Sequence, residues 1–388
     1  MPFLARIYAF KLFDSLILIL PLYAVMFVDA GLTPTEVGVA LAAWSIATFA
    51  LQAPAGVLAD LWPRRLILAG AQVMRGACFA LWIVWPTFWG FLIGLVLWGF
   101  KSAFTNGVFE ALLYDELKAQ GRAADYTRIY GRTRAVSAGA ILLAAGGASL
   151  VARAGYDAAL AASLVSVVVC AAVALSLPPA PPAVASGARD YLGQIRRGFG
   201  FAASQPVVLS ILVFAAFVNA LGPALQEYWP IYGREVGLPR SAIALYIGVQ
   251  YATEALAAVF AHRLAGWPAR LNYGLFALAG LLLLGAGALF IPAAMLLLAF
   301  YSGLMRVNDV VFEGKLQAEI PSDARATISA VKGVTGQVGV FSLYLGFGPL
   351  AGATSYQTAF LVFGGLVVAI GVAYLGAGLT RRPATTRT

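Results

Sequence analysis

The chain has 388 residues, of which 61% are hydrophobic and 11% charged, and a formal net charge of +9. So few polar side chains cannot cover a soluble globule of this length, which makes this a polytopic membrane protein with the lipid bilayer as its solvent. The positive balance excludes nucleic acid as a partner, because the basic residues fall in short stretches between apolar runs rather than on one arm or face. Cys78 and Cys170 lie inside apolar runs without CxxC or histidine company, so neither a redox motif nor a metal site nor a cofactor is expected.

Stretches of about twenty apolar residues, enough to cross ~30 Å of hydrocarbon, divide the chain at 7–28, 35–59, 66–86, 88–113, 128–152, 156–177, 206–231, 241–262, 270–290, 292–313, 326–349 and 355–378. An all-α membrane protein of twelve transmembrane helices is expected. One sizeable loop, opening with Pro178, Pro179, Pro181 and Pro182 and continuing with Arg189, Asp190, Arg196 and Arg197, separates six spans from six. The expected organisation is a bundle over 1–177, a linker over 178–205 and a second bundle over 206–388.

In the first span Arg6 and Lys11 precede an apolar run with no Ala-x-Ala boundary, which reads as an uncleaved insertion signal. Of the 26 Lys and Arg, only Arg153, Arg234 and Arg240 stand in loops on one side, and Arg75, Lys101 and Arg306 lie within spans. The rest share a side with both termini, which the positive-inside rule makes cytoplasmic. The expectation is a multi-pass protein of the cytoplasmic (inner) membrane with both termini cytoplasmic. No far-side loop is long enough for a catalytic domain, and no GxxxxGK[ST] motif occurs, so direct ATP drive is not expected.

Charge concentrates between the second and third spans, in Gly56-Val57-Leu58-Ala59-Asp60-Leu61-Trp62-Pro63-Arg64-Arg65. Gly56, Asp60 and Arg64 are spaced four apart and share one stripe of a helix. A glycine there admits a neighbouring helix, whose positive N-terminal end the Asp60 carboxylate can meet, while Arg64 and Arg65 anchor the next span at the water boundary. The stretch resembles the loop between helices two and three of the major facilitator superfamily, whose pattern is G-x-L-A-D-R-x-G-R-R/K. Gly56, Leu58, Ala59, Asp60, Arg64 and Arg65 match; Leu61 replaces an Arg and Pro63 a Gly. With twelve spans, the resemblance covers nearly the whole chain and implies a secondary transporter that works by alternating access, usually as a monomer, and is not an enzyme.

An internal repeat supports the division six plus six. Val108-Phe109-Glu110-Ala111-Leu112-Leu113-Tyr114-Asp115-Glu116-Leu117 aligns with Val311-Phe312-Glu313-Gly314-Lys315-Leu316-Gln317-Ala318-Glu319-Ile320, matching Val, Phe, Glu, Leu and Glu. Repeated halves around a midplane site are a common transporter design. The repeat-matched acids Glu110 and Glu313 end helices four and ten. With Arg128, Arg132 and Arg134, and with Arg325 and Lys332, they are expected to form a cytoplasmic latch of ion pairs, closed when the cavity faces outward, against the alternative of a solvated rim.

A charge at mid-bilayer costs about 2.5–3.5 kcal/mol on insertion scales unless paired or hydrated, so ionisable residues inside spans mark candidate sites. They are Asp14, Arg75, Lys101, Glu227, Glu254, Arg306 and Asp309. Lys101 and Arg306 occupy nearly repeat-equivalent places and would together suit an anionic substrate; alternatively each pairs privately, Lys101 with Asp14 and Arg306 with Asp309. Asp14 and Glu254 have apolar or neutral helical neighbours, which makes them the expected proton carriers. Arg75 reads as structural, and Glu227, among Gln226, Tyr228, Trp229 and Tyr232, as an interfacial or gating residue. Asn106, Asn219, Gln250 and Asn308 complete the possible cavity, with Gln52 and Gln337.

The functional expectation is a proton-coupled antiporter that exports amphipathic compounds, a direction implied by the resemblance. Residues 138–147 hold Gly139, Gly146 and Gly147 but lack the proline of the antiporter helix-five motif. A proton-coupled carrier of a small anionic metabolite is the alternative, and a non-transporting receptor a minor one.

Overall fold

The computed structural model describes residues 3–179, 191–264, 266–320 and 325–380. Seventeen α-helices are described: α1 (Phe3–Ser15), α2 (Tyr23–Asp29), α3 (Pro34–Leu61), α4 (Arg64–Val84), α5 (Phe88–Thr105), α6 (Val108–Ala119), α7 (Tyr126–Val151), α8 (Tyr156–Leu175), α9 (Tyr191–Ser204), α10 (Pro206–Leu221), α11 (Pro223–Gln226), α12 (Trp229–Glu235), α13 (Arg240–Phe260), α14 (Ala269–Leu289), α15 (Met295–Glu319), α16 (Arg325–Ala353) and α17 (Tyr356–Thr380). The fold is all-α and crosses the membrane many times, with eleven described segments long and apolar enough to span it.

The exception is the first expected span. Residues 7–28 do not form one helix: α1 stops at Ser15 and α2 starts at Tyr23. Pro21, which brings no N–H, lies in the interruption. The expected seventh span is likewise divided, into α10, α11 and α12, with Gly222, Pro223 and Pro230 at the joints. Its sequence carries the breakers openly, and run length alone hid them.

The linker is also more than a loop, since α9 occupies 191–204 and packs on α16. Gly198 lets it do so, because a Cβ there would stand 2.8 Å from the Thr327 carbonyl oxygen. Ala202, one helical turn on, joins Val208, Leu316, Ile328 and Val331 in a small apolar core. Arg196 and Arg197 on the other face had masked this short apolar stripe. Arg189 and Asp190 lie outside the described residues.

Because successive spans reverse direction, the molecule has a terminal face, which carries the start of α1 and α9, and a far face, which carries Asp29, Tyr156 and Arg240. At the far face one apolar core runs unbroken through both parts of the chain, joining Tyr23, Phe27 and Trp82 to Tyr228, Tyr344 and Phe347. Nearer the terminal face the packing separates. Ile7, Phe10, Val108 and Cys170 belong to one core and the α9 cluster to another. The two parts are therefore sealed together at the far face and packed apart at the terminal face.

Glycines make the far seal possible where α3 crosses α16. A Cβ on Gly348 would meet the Pro34 carbonyl at 2.7 Å, one on Gly38 the Tyr344 carbonyl at 2.6 Å, and one on Gly352 the Thr35 Oγ1 at 2.6 Å. The first two are backbone approaches that no rotamer change relieves. Gly348→Val is expected to force the far ends of α3 and α16 apart. Spin labels at Glu36 and Thr354 would report a longer distance in the variant, and an unchanged distribution would show that the crossing is not this tight.

Candidate functional site

The two interruptions create the site. Between α1 and α2 the freed N–H of Ile19 donates to Ser163 Oγ of α8 at 3.0 Å, and at the end of α10 the freed carbonyl of Leu221 accepts from Tyr301 Oη of α15 at 2.7 Å. Side chains of neighbouring helices thus satisfy backbone that the bilayer could not. Irregular backbone at this depth is tolerated where it is buried in protein or lines a cavity, and paired interruptions in the two parts of a chain point to a binding site.

A cavity of about 290 Å³ opens there, lined by Asp14, Ser15, Ile17, Leu20, Tyr23, Trp44, Arg75, Leu95, Trp98, Lys101, Ile141, Glu227 and Tyr251. A larger hollow, about 770 Å³, lies between α10, α14, α15 and α17 near the terminal face and draws on one part of the chain only. The smaller cavity is the better candidate, since ionisable groups from both sides of the linker converge in it.

One pole of this cavity is a buried charge cluster. Asp14 Oδ1 accepts from Lys101 Nζ at 2.8 Å, from Arg75 Nη2 at 3.1 Å and from Gln72 Nε2 at 2.9 Å. Arg75 Nη1 also donates to the Asp14 carbonyl at 2.6 Å, which secures the frayed end of α1. The Arg75 guanidinium lies 5.7 Å from the Trp98 ring. Three helices, α1, α4 and α5, are tied by one carboxylate.

The opposite pole is Glu227, at the joint between α11 and α12. Its Oε2 accepts from the Tyr23 hydroxyl at the start of α2. This bond joins the two interrupted spans directly. Among the described residues Glu227 has no cationic partner. Arg75 Nε and Trp44 Nε1 are buried donors without an acceptor.

Several sequence expectations are corrected here. Asp14 is not an unpaired carrier; its cationic partners come from α4 and α5, which spacing along its own helix could not reveal. Of the two readings of Lys101 and Arg306, the geometry follows the private pairs: Lys101 holds Asp14, and Arg306 pairs with Asp309 at 2.8 Å, partly exposed. Arg75, read as structural, lines the cavity. Asn106 caps the end of α5 in an exposed position, while Asn219 and Asn308 spend their amides on the Ala215 and Leu304 carbonyls of their own helices. Gln250 is buried and donates both to Gln226 Oε1 at 2.9 Å and to Glu254 Oε1 at 3.1 Å.

At the terminal face Gly56 is exposed, and a Cβ there would meet nothing within 4 Å, so no helix approaches it in this conformation. The Asp60 and Arg325 side chains lie outside the described residues. Arg64 is no solvated anchor: it is 5% exposed and paired with Asp115 of α6, the acid that the sequence reading quoted but gave no role. Arg65 is partly buried, its Nε without a hydrogen-bond partner. In this conformation, sealed at the far face, Glu110 makes no ion pair with the arginines of α7 among the described residues. It accepts from the Gly107 N–H at 3.0 Å and so caps α6, while Arg128 turns to Asp125 and Arg132 stays exposed. Glu313 pairs with Lys332.

The far face carries a cluster that sequence reasoning missed. Asp29 accepts from Tyr156 Oη at 2.5 Å, Arg234 Nε at 2.6 Å and Arg240 Nη2 at 2.7 Å, and Arg240 stacks 4.3 Å from the Tyr156 ring. Arg234 and Arg240 were legible as loop charges; their convergence on Asp29, more than 200 positions away, was not. Midway down the same seam, Gln337 of α16 donates to Ser45 of α3.

A polytopic helical protein, closed at one face and presenting a central cavity of opposed charges between two interrupted spans, has the build of a membrane carrier. The chain belongs to the major facilitator superfamily, whose family model matches residues 7–342. It is therefore a secondary transporter of small molecules and not an enzyme. No curated protein matches the chain. Among solved structures it resembles a nucleoside transporter NupG D323A mutant, with 16% identity, TM-score 0.79, and 97% of this chain and 98% of that one covered. It also resembles an auto-inhibited POT family peptide transporter, with 15% identity, TM-score 0.73 and 98% and 96% covered. A third similar structure is a D-xylose-proton symporter, with 14% identity, TM-score 0.72 and 99% and 97% covered. At these identities the likeness is one of fold.

Burial decides which pair matters for stability. Asp14 is 10% exposed between two cations that are 4% and 9% exposed, whereas Arg306 and Asp309 are 39% and 30% exposed. Asp14→Asn strands two buried cations and is expected to cost about 3–5 kcal/mol, against ~0–1 kcal/mol for Asp309→Asn, read as the difference in thermal midpoint between the purified variants. Equal losses would mean that the Asp14 cluster is hydrated.

For Asp29, burial pushes the carboxyl upward, but the hydrogen bonds from Tyr156, Arg234 and Arg240 outweigh it and hold the group below its ordinary value. A depressed carboxyl stabilises above its ordinary value of ~3.9 and loses that contribution as pH falls through the depressed one. The far face is thus expected to stay closed across neutral and mildly acidic pH in the wild type and to loosen in Asp29→Asn at every pH, measured by reactivity of a cysteine at Asp157.

Proposed function

We propose that the protein is a proton-coupled carrier of a small organic anion with an apolar or aromatic body. The bundles 1–177 and 206–388 rock about the linker 178–205, with the far face outside, the terminal face and both termini cytoplasmic, and one chain sufficing. The observation that carries this reading is the donor excess of the central cavity. Arg75 Nε and Trp44 Nε1 are buried without acceptors, and Lys101 spends its charge on an Asp14 that it shares with Arg75. Buried donors without partners cost free energy that an incoming carboxylate recovers. The aromatic walls, Trp44, Trp98 and Tyr251, suit a flat body beside that head group.

Glu227 supplies the coupling. With Glu227 ionised the cavity's two acids balance its two bases; with Glu227 protonated one positive charge is left over. A monoanion and a proton entering together leave the buried site neutral, which favours co-transport of the two in one direction. Protonation also turns the charge-assisted Tyr23 bond into a weaker neutral one and loosens the tie between the interrupted spans. At the terminal face, Gly56 is open to receive the end of α16 when the bundles rock the other way.

Export of an amphipathic compound, the role implied by the sequence resemblance, has one observation in its favour. Glu254 is an acid that accepts from a neutral amide, Gln250 Nε2 at 3.1 Å, and has no ion pair among the described residues. Proteoliposomes holding a pH-sensitive dye separate the readings. Carboxylates with aromatic bodies are expected to drive proton movement, and Lys101→Ala to weaken their apparent affinity about tenfold or more, the loss of a hydrogen bond to a charged group. Glu227→Gln should still bind the anion but carry no proton. Flux driven by amphipathic cations and lost in Glu254→Gln would sink the anion reading in favour of export.

A further inference from the structure

We propose that the hollow near the terminal face, distinct from the central cavity, is a binding site for one anionic phospholipid. Two adjoining spaces meet at Arg270. One, about 770 Å³, lies between α14, α15 and α17, with Arg270, Lys315 and Glu319 on its rim. The other, about 410 Å³, runs along the outer surface of α14, lined by Leu271, Leu278 and Leu375 and closed at the water boundary by Trp267. Together they offer a charged head space that continues into an apolar groove at right depth for an acyl chain.

The head space presents two basic groups, the exposed Arg270 and the half-buried Lys315. Among the described residues Arg270 makes no hydrogen bond or ion pair. The Lys315 ammonium donates to the Trp267 carbonyl at 3.0 Å and lies 5.5 Å from the Phe312 ring, which leaves its charge uncompensated. The N-terminus of α14 opens at the same place, its cap being Pro268 with no side-chain acceptor, so the first-turn N–H groups add positive potential. Glu319 is exposed and turns the site against a dianionic head, favouring a phosphodiester over a free phosphate. Leu271 and Leu278, 47% and 44% exposed, sit where only hydrocarbon can cover them. A soluble phosphate would fill the head and leave this groove bare, whereas a phospholipid fills both.

The site bridges α14 and α15, and α15 carries the Arg306–Asp309 pair and the Lys332-bound Glu313. An occupant therefore clamps the second bundle without touching the transport cavity. The test uses the full chain, delipidated in detergent and then offered phosphatidylglycerol, phosphatidylcholine or inorganic phosphate, with retained lipid read by native mass spectrometry and stability by thermal midpoint. Phosphatidylglycerol is expected to remain bound and to raise the midpoint. Arg270→Ala with Lys315→Ala should abolish both effects, and so should Leu278→Trp, which fills the groove without changing charge. Arg263→Ala, at an exposed neighbouring cation, should leave them intact. The proposal is overturned if phosphatidylcholine or phosphate stabilises equally, or if the double variant keeps the lipid. Since none of these residues lines the central cavity, failure here leaves the anion-carrier reading untouched, and loss of anion flux leaves the lipid site standing.

Discussion

A carboxylate held between two cations at the depth of the hydrocarbon is the constraint from which the first part of the fold follows. Asp14 sits on the last turn of α1, and Lys11 of its own helix turns over the Phe109 ring rather than bonding to it. Its three donors come from α4 and α5, so the position of α1 is set by charge pairing before apolar packing refines it. The cost of leaving any one of these charges alone exceeds what a few buried methylenes return. This also explains why α1 can end there: Arg75 takes the Asp14 carbonyl that a continuing helix would have used.

The second part solves a similar problem without charge. The α10 interruption is closed by Tyr301 on a carbonyl and by aromatic packing of Tyr228 and Trp229 on Phe347, Tyr301 and Phe360. A fixed ionic hub on one side and an apolar hinge on the other leave Glu227 as the acid whose surroundings change when the two parts move. Tyr23 and Glu227 belong to different parts and meet here, with the far face sealed. Around them, the seal consists of glycine approaches between α3 and α16 and the Asp29 cluster above. Such contacts form all together or not at all, because the glycine crossing tolerates no partial opening.

Run length and hydropathy made most of the expected spans legible, since most are single apolar helices, although the fourth breaks between α5 and α6. They misled at the first and seventh because Leu16 to Leu22 is as apolar as any helix, and only Pro21 hinted at a break; Gly222, Pro223 and Pro230 hinted at the other. α9 was hidden behind a proline-rich opening and two arginines. Within the site, residue type was informative and pairing was not. The intramembrane charges Asp14, Arg75, Lys101 and Glu227 all line the cavity, yet Trp44, Tyr23 and Tyr251 carry no signal that separates a cavity wall from an ordinary core aromatic. The Gly56–Arg65 motif named the family, while the Arg64 partner, Asp115, lies 51 positions away and is set by packing alone.

Position relative to the moving seam is what distinguishes the two central acids. Asp14 and its partners all belong to the first part of the chain, so rocking carries the cluster as a rigid whole and leaves its electrostatic balance unchanged. Glu227 is held by a residue of the other part, so the same motion removes its hydrogen-bond donor and exposes it to whichever side has opened. On the proposed coupling, a proton on Glu227 is bound in one conformation and released in the other, whereas a proton on Asp14 would have to displace two cations that travel with it. Coupling requires a differential interaction between states, and of the two acids only Glu227 has one built into its contacts.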